Sequence, residues 1–139
     1  MVTGRAGDDG GALPIVRDDD VVRVRQAVRA AAVAAKLSLV DQTKLVTAAS
    51  ELARNTLIYG GGGRAEIGSV TTDRRRGVRV VFIDDGPGIA DLDLALTDGY
   101  TSGGGLGLGL SGARRLVDNF DIVSAVGEGT RISVTKWAR

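Results

Sequence analysis

Four groups of residues in this 139-residue chain have types and spacings that could do chemistry. Glu51 and Asn55 stand four apart in a stretch of helical periodicity, and with Thr47 they line up along one edge of that helix. Asp84-Asp-Gly-Pro-Gly88 follows directly on a β-like apolar run, Val78 to Ile83. The stretch from Phe82 to Gly112 holds the glycines at 86, 88, 99, 103, 104, 105, 107, 109 and 112 of the 21 in the chain, far denser than a packed core uses. Glycine at that density means backbone brought close to a ligand, or positive φ, or both. Bare amides between a strand and a helix start suit an anion. The fourth group, Gly127-Glu-Gly-Thr130, is a tight turn ahead of the last strand-like run.

Taken singly, each group has an ordinary structural explanation. A polar edge such as Glu51 and Asn55 fits a solvated helix face, Asp84 before Gly86 fits a turn, and a glycine-rich loop fits a mobile surface segment. Two familiar phosphate loops are ruled out. There is no GxxxxGK[ST], and the lysines, at 36, 44 and 136, all lie outside the glycine region. A Rossmann fingerprint requires βαβ alternation, whereas this chain has hairpins. With no Cys and no His, the chain has no cysteine nucleophile, disulfide scaffold, Ser-His-Asp triad or phosphohistidine, and none of the usual zinc sites.

The elements that must position these groups can be read in order. Residues 1 to 12 form a Gly- and Asp-rich flexible tail. Leu13 to Arg17 is an edge strand, since Pro14 at its start is tolerated there. Asp18 to Asp20 offer caps for a helix from near Val21, with Val21, Val24, Val28, Ala31 and Ala35 on its core side and Arg23, Arg25 and Arg29 away from it. Ser38-Leu-Val-Asp41 resembles a capping box, and a helix follows from Asp41 to Tyr59 with Leu45, Ala49, Leu52 and Thr56 as its stripe, flanked by Val46, Ala53 and Leu57. Gly60 to Gly63 end it. Strands are expected over Arg64 to Thr72 and Val78 to Ile83, joined by a hairpin turn at 73–77. A helix from Leu110 to about Asn119 then leads to strands over Asp121 to Ala125 and Thr130 to Trp137. The order β-α-α-β-β-α-β-β predicts a single-domain α+β sandwich, a mixed sheet covered on one face by helices.

Taken together and in this order, Glu51 with Asn55, Asp84 to Gly88, the GGGLGLGL run at 103–110 and Gly127 to Thr130 resemble the four nucleotide-binding motifs of the GHKL (histidine-kinase-like) ATPases. The resemblance runs from about residue 15 to the end of the chain, within a kinase domain at 13–139. It implies a two-layer ATP-binding fold with a mostly antiparallel sheet, and ATP and Mg²⁺ as cofactors. By resemblance, Asn55 is the protein ligand of Mg²⁺, an ion that keeps waters and takes phosphate oxygens for the rest of its shell. Glu51 resembles the general base for the attacking hydroxyl. Asp84 matches the carboxylate that accepts the adenine amino group, a bond guanine cannot offer. Gly86 and Gly88 would let the backbone approach the base, beside Ile89, and Thr130 would share the adenine contact through its hydroxyl and a water. Ile89 to Ser102 would form a lid. Gly103, Gly104, Gly105, Leu106, Gly107, Leu108 and Gly109 would be its hinge and the phosphate-facing segment.

Transducer domains do not fit in this length, and a histidine kinase needs a phosphoacceptor His. The small free-standing members remain, which phosphorylate Ser or Thr on a partner protein. TSGGGLGLGLSGARRLVDNFDI and GEGTRISVTKWAR carry a closer likeness to the RsbT-type stressosome kinases. That likeness implies STAS-domain proteins of the RsbS and RsbR kind as substrates and scaffold, and an RsbU-like PP2C phosphatase that the released kinase activates. Arg23, Arg25, Arg29 and Arg54 are candidate partner contacts, though each also fits a solvated basic face. The rival readings are an anti-sigma factor kinase of the RsbW or SpoIIAB kind and a non-catalytic adaptor gated by ATP. Net charge is +1 and the aromatic fraction 4%, so neither nucleic acid nor a membrane is an expected partner. No apolar run has transmembrane or signal-peptide character, which makes a cytoplasmic location the expectation.

Overall fold

A computed structural model of the chain describes residues 11–97 and 109–139. Five strands form one sheet in the order β1-β2-β3-β5-β4, with β1 Gly11–Ile15, β2 Gly63–Thr71, β3 Arg76–Asp84, β4 Asn119–Ser124 and β5 Thr130–Trp137. Its helices are α1 Asp18–Ala34, α2 Leu39–Ile58, α3 Leu92–Ala95 and α4 Gly109–Arg115. The α+β architecture is the expected one, but every ladder in the sheet is antiparallel rather than mixed. The reason is connectivity. β2–β3 and β4–β5 are hairpins, and β5 inserts between β3 and β4, so the two parallel strands never pair.

Side-chain alternation decides which face the helices cover. Ile15, Ala65, Ile67, Val78, Val80, Phe82, Ile132 and Val134 meet Val21, Val24, Val28, Ala32 and Ala35 of the α1 segment and Leu45, Ala49, Leu52 and Ala53 of α2 in one core. Ala32 takes the buried place expected of Ala31, because the apolar stripe drifts around the helix at its C-terminal end. The α2 stripe is as read, with Ala48 added and Thr56 satisfying its hydroxyl on the Leu52 carbonyl at 3.0 Å.

β1 starts at Gly11, inside the expected tail of residues 1 to 12, and among the other displaced boundaries three have a hydrogen-bonding reason. The Asp20 carboxylate accepts the N–H groups of Val16, at 2.8 Å, and Arg17, at 3.1 Å, which ends β1 at Ile15 and starts α1 at Asp18. Those bonds, led by the one from Val16 and helped by Arg23, outweigh burial and hold the Asp20 carboxyl below its usual range. At the third of these boundaries α4 stops at Arg115, not near Asn119. Asp118 N–H bonds the Thr135 carbonyl at 3.0 Å, drawing the chain into β4 so that Asn119 and Phe120 join the sheet, with Phe120 packed against the core.

The capping box of α2 is half formed. Asp41 N–H bonds Ser38 Oγ at 3.1 Å, but the Asp41 carboxylate is drawn elsewhere. It faces Lys136 Nζ at 3.5 Å and Arg139 Nε at 3.8 Å. Lys136, only 4% exposed, also reaches Asp118 at 3.4 Å, and Arg139 pairs with the same Asp118 oxygen. Burial pushes the Asp118 carboxyl up. The Trp137 N–H bond and the charges of Lys136 and Arg139 together outweigh it, and the carboxyl lies below its usual range.

Candidate functional site

At the opposite end of β5 from Lys136, α2, the end of β3, the segment 87–95 and the start of α4 enclose a cavity of about 400 Å³. Small-molecule sites usually span roughly 300–1,000 Å³ and are mostly apolar with a few convergent polar groups. Phe82, Ile89, Leu94, Leu110 and Ile132 provide the apolar wall, and Asn55, Asp84 and Thr130 are among the polar residues of the cavity, with Tyr59 and Asp91. Asn55, Asp84, Gly88, Ile89, Gly109 and Thr130, all expected site residues from separate parts of the sequence, thus line one space.

Strand register sets the polar points side by side. Thr130 is paired with Asp84 across the β3–β5 ladder and with Ser124 across the β4–β5 ladder. One Asp84 carboxylate oxygen accepts Gly86 N–H at 2.9 Å. An ionised carboxylate has about four acceptor positions, so Asp84 retains capacity toward the cavity.

Glu51 does not line the cavity wall. It stands one helical turn before Asn55, half-buried, and its Oε1 is buried with no hydrogen-bond partner among the described residues. A buried acceptor without a partner costs about 1–3 kcal/mol.

Gly86 and Gly88 are also required by close backbone packing. At Gly88, φ is +77°, and a Cβ would strike the Ala125 carbonyl. At Gly86 a Cβ would lie 2.7 Å from the Gly60 carbonyl oxygen. Their lack of side chains lets the backbone of 84–89 pack on the β4–β5 turn and on the end of α2, which fixes the cavity wall. Gly127 N–H bonds the Pro87 carbonyl at 2.8 Å in the same contact. Gly86 itself is not in the wall. Gly103, Gly104, Gly105, Leu106, Gly107 and Leu108 lie outside the described residues, as do 98–102 of the expected lid.

Besides wall residues such as Tyr59 and Ile132, sequence reasoning missed two residues whose signal can be named. Gly60, read only as a helix stop, lines the cavity, and a Cβ there would strike the Asp84 carboxylate. The run Gly60 to Gly63 was the available signal, being longer than a C-cap requires. Ser124 was missed as well; its signal was a polar residue on the same strand parity as Phe120 and Ile122. Of the candidate partner contacts, Arg23 pairs with Asp20 at 2.9 Å and Arg29 donates to Gln42 at 3.3 Å. Among the described residues no helix is long and apolar enough to cross a membrane.

The donor set also bears on a metal. No group of three or more His, Cys, Asp or Glu converges among the described residues, and Asn55 offers a neutral oxygen at the cavity edge. That fits a hard ion held mainly by ligand oxygens and water, and does not fit a dedicated all-protein cage.

Comparison with known proteins gives a consistent family. Residues 40–138 match the model of the histidine kinase-, DNA gyrase B- and HSP90-like ATPases. The chain is 40% identical over 132 residues to the serine/threonine-protein kinase RsbT of Bacillus subtilis (strain 168), covering 95% of this chain and 99% of that one. It is 31% identical to an anti-sigma F factor of Clostridium acetobutylicum, covering 86% of this chain and 85% of that one. In fold it is similar to the histidine kinase domain of a blue-light activated histidine kinase from Erythrobacter litoralis. That match has a TM-score of 0.50 and 18% identity, over 88% of this chain and 60% of that one.

Proposed function

The chain belongs to the histidine kinase-, DNA gyrase B- and HSP90-like ATPase family, and from that premise we propose an ATP- and Mg²⁺-dependent protein serine/threonine kinase that acts as a partner-switching regulator. Its substrates are STAS-domain proteins of the RsbS and RsbR kind. After phosphorylating them it is released to activate an RsbU-like PP2C phosphatase in sigma-factor stress signalling.

The observation that carries the kinase reading is Glu51, whose buried Oε1 has no hydrogen-bond partner among the described residues, one turn from Asn55 at the cavity edge. In this reading Asp84 and Thr130 hold the adenine edge, and the apolar wall excludes water from the base. Glu51 orients the acceptor hydroxyl and takes its proton. Asn55 would hold Mg²⁺, which when bound neutralises phosphate charge. The near full-length likeness to a serine/threonine-protein kinase supports the same assignment.

The test is mass spectrometry of the cognate STAS-domain protein after incubation with this chain, Mg²⁺ and ATP. One phosphorylated Ser or Thr is expected. Glu51→Gln should leave ATP bound and cut transfer by roughly 10²–10⁴-fold, the usual range for a general base. Transfer at the normal rate by that variant removes Glu51 from the role. A second reading, an anti-sigma factor with the same chemistry, is supported by the likeness to the anti-sigma F factor. Stable copurification with a sigma factor would favour it.

A further inference from the structure

Beside the cavity, Ser124 Oγ has every hydrogen-bonding position filled. It accepts Ile89 N–H at 2.8 Å and donates its only hydrogen to the Gly129 carbonyl at 3.0 Å. It also lies 2.8 Å from Thr130 Oγ1. A hydroxyl has one hydrogen and two lone pairs. The Gly129 carbonyl can only accept, so the three contacts are all hydrogen bonds only when Ser124 donates to Gly129 and Thr130 donates to Ser124. Thr130 Oγ1, which lines the cavity, therefore has no hydrogen left for a ligand. Its remaining capacity is to accept.

We infer that Ser124 is a positioning residue for nucleotide selection: by holding the Thr130 hydrogen, it makes Thr130 an acceptor-only group next to the acceptor-only carboxylate of Asp84. Cross-strand pairing places these side chains on adjacent strands of one face, Asp84 on β3, Thr130 on β5 and Ser124 on β4. Set against the exocyclic 6-position, two acceptors in a row match the two hydrogens of a 6-amino group and oppose the lone pairs of a 6-oxo group. Burying the wrong polarity leaves lone pairs facing lone pairs, which is where polar discrimination comes from. Through Ile89 the same hydroxyl also ties the start of the expected lid to the β4–β5 turn, so the edge and the wall above it are set by one atom.

The inference rests on the adenine-binding reading above. Its test compares ATP with ITP, a 6-oxo purine nucleotide, by calorimetric Kd with Mg²⁺ in wild type, Ser124→Ala, Ser124→Thr and Thr130→Val, and in the double variant. In Ser124→Ala the Thr130 hydrogen is free to turn to the 6-oxygen. The preference for ATP over ITP should then fall by roughly threefold to tenfold, the worth of one neutral hydrogen bond. Ser124→Thr, which keeps the hydroxyl, should restore it. In a Thr130→Val background Ser124→Ala should leave the ratio unchanged. Equal loss of both affinities in Ser124→Ala, with the ratio intact, would overturn the inference, because a purely structural role moves both together. Wild type that binds ATP and ITP alike would overturn the adenine reading along with it.

Discussion

The two ends of β5 put polar groups into the same layer of the protein and treat them oppositely. Near Trp137, Lys136 is enclosed and its charge is shared by Asp41 and Asp118, with Arg139 completing the set. At the other end Thr130 and Asp84 face an open cavity with acceptor capacity to spare, and Glu51, one turn from Asn55, holds a buried oxygen with no hydrogen-bond partner among the described residues. Desolvated polar groups that are fully partnered hold a fold together. Those that are pre-positioned and incompletely partnered have a free-energy cost that only a ligand removes. The contrast separates structure from function more sharply than residue type does, since both ends are built from the same carboxylates.

Breaking the open end should abolish binding and spare the fold. In Asp84→Asn the Gly86 N–H claims the amide carbonyl and turns the NH₂ group toward the cavity, where it meets another donor. ATP affinity should fall by roughly 10²-fold or more, with the melting temperature close to wild type. Unchanged affinity in calorimetry would remove Asp84 from the site. Breaking the closed end should do the reverse. Lys136→Met leaves the buried Asp41 carboxylate and the more exposed Asp118 with only the exposed Arg139, and should cost about 3 kcal/mol, the low end for removing one partner of a buried ion pair such as Lys136 and Asp41. Denaturant titration measures this, and the ATP Kd of the folded fraction should stay within about twofold, as for independent sites. A large change in Kd would mean that the two ends are coupled.

The smallest effect is acid sensitivity. The Asp118 carboxyl is held below its ordinary value in the folded state, so the unfolded chain binds its proton first as pH falls. Its contribution to stability is complete above the unfolded value of about 3.9 and is lost as pH drops through the folded one. Asp118→Asn should therefore flatten the fall in stability below about pH 4 while lowering stability at neutral pH. An unaltered acid slope in urea titrations at several pH values would assign the sensitivity to other carboxylates, Asp20 being the first candidate.

Legibility in the sequence followed the range of the interaction. The α2 stripe, the β2–β3 hairpin and the cap at Ser38 were readable, because each depends on residues a few positions apart. The errors came where a distant partner intervened. β4 took Asn119 and Phe120 from the expected helix because Thr135 supplied the carbonyl for Asp118. The Asp41 carboxylate left its capping box for Lys136, nearly a hundred residues away. Gly86, expected beside the base, is not in the cavity wall and packs against Gly60.

By itself, then, the sequence determined the α+β class, the helical edge bearing Glu51 and Asn55, and the placement of Asp84 at a strand end, since local periodicity and turn chemistry suffice for those. Only the tertiary structure decided that β5 enters between β3 and β4. That insertion sets Asp84, Thr130 and Ser124 in one row and leaves Ser124 to fix the polarity of its neighbour. Strand order and register are properties of the whole packed sheet. A hydrogen bond across them joins residues whose spacing in the chain carries no information about their meeting.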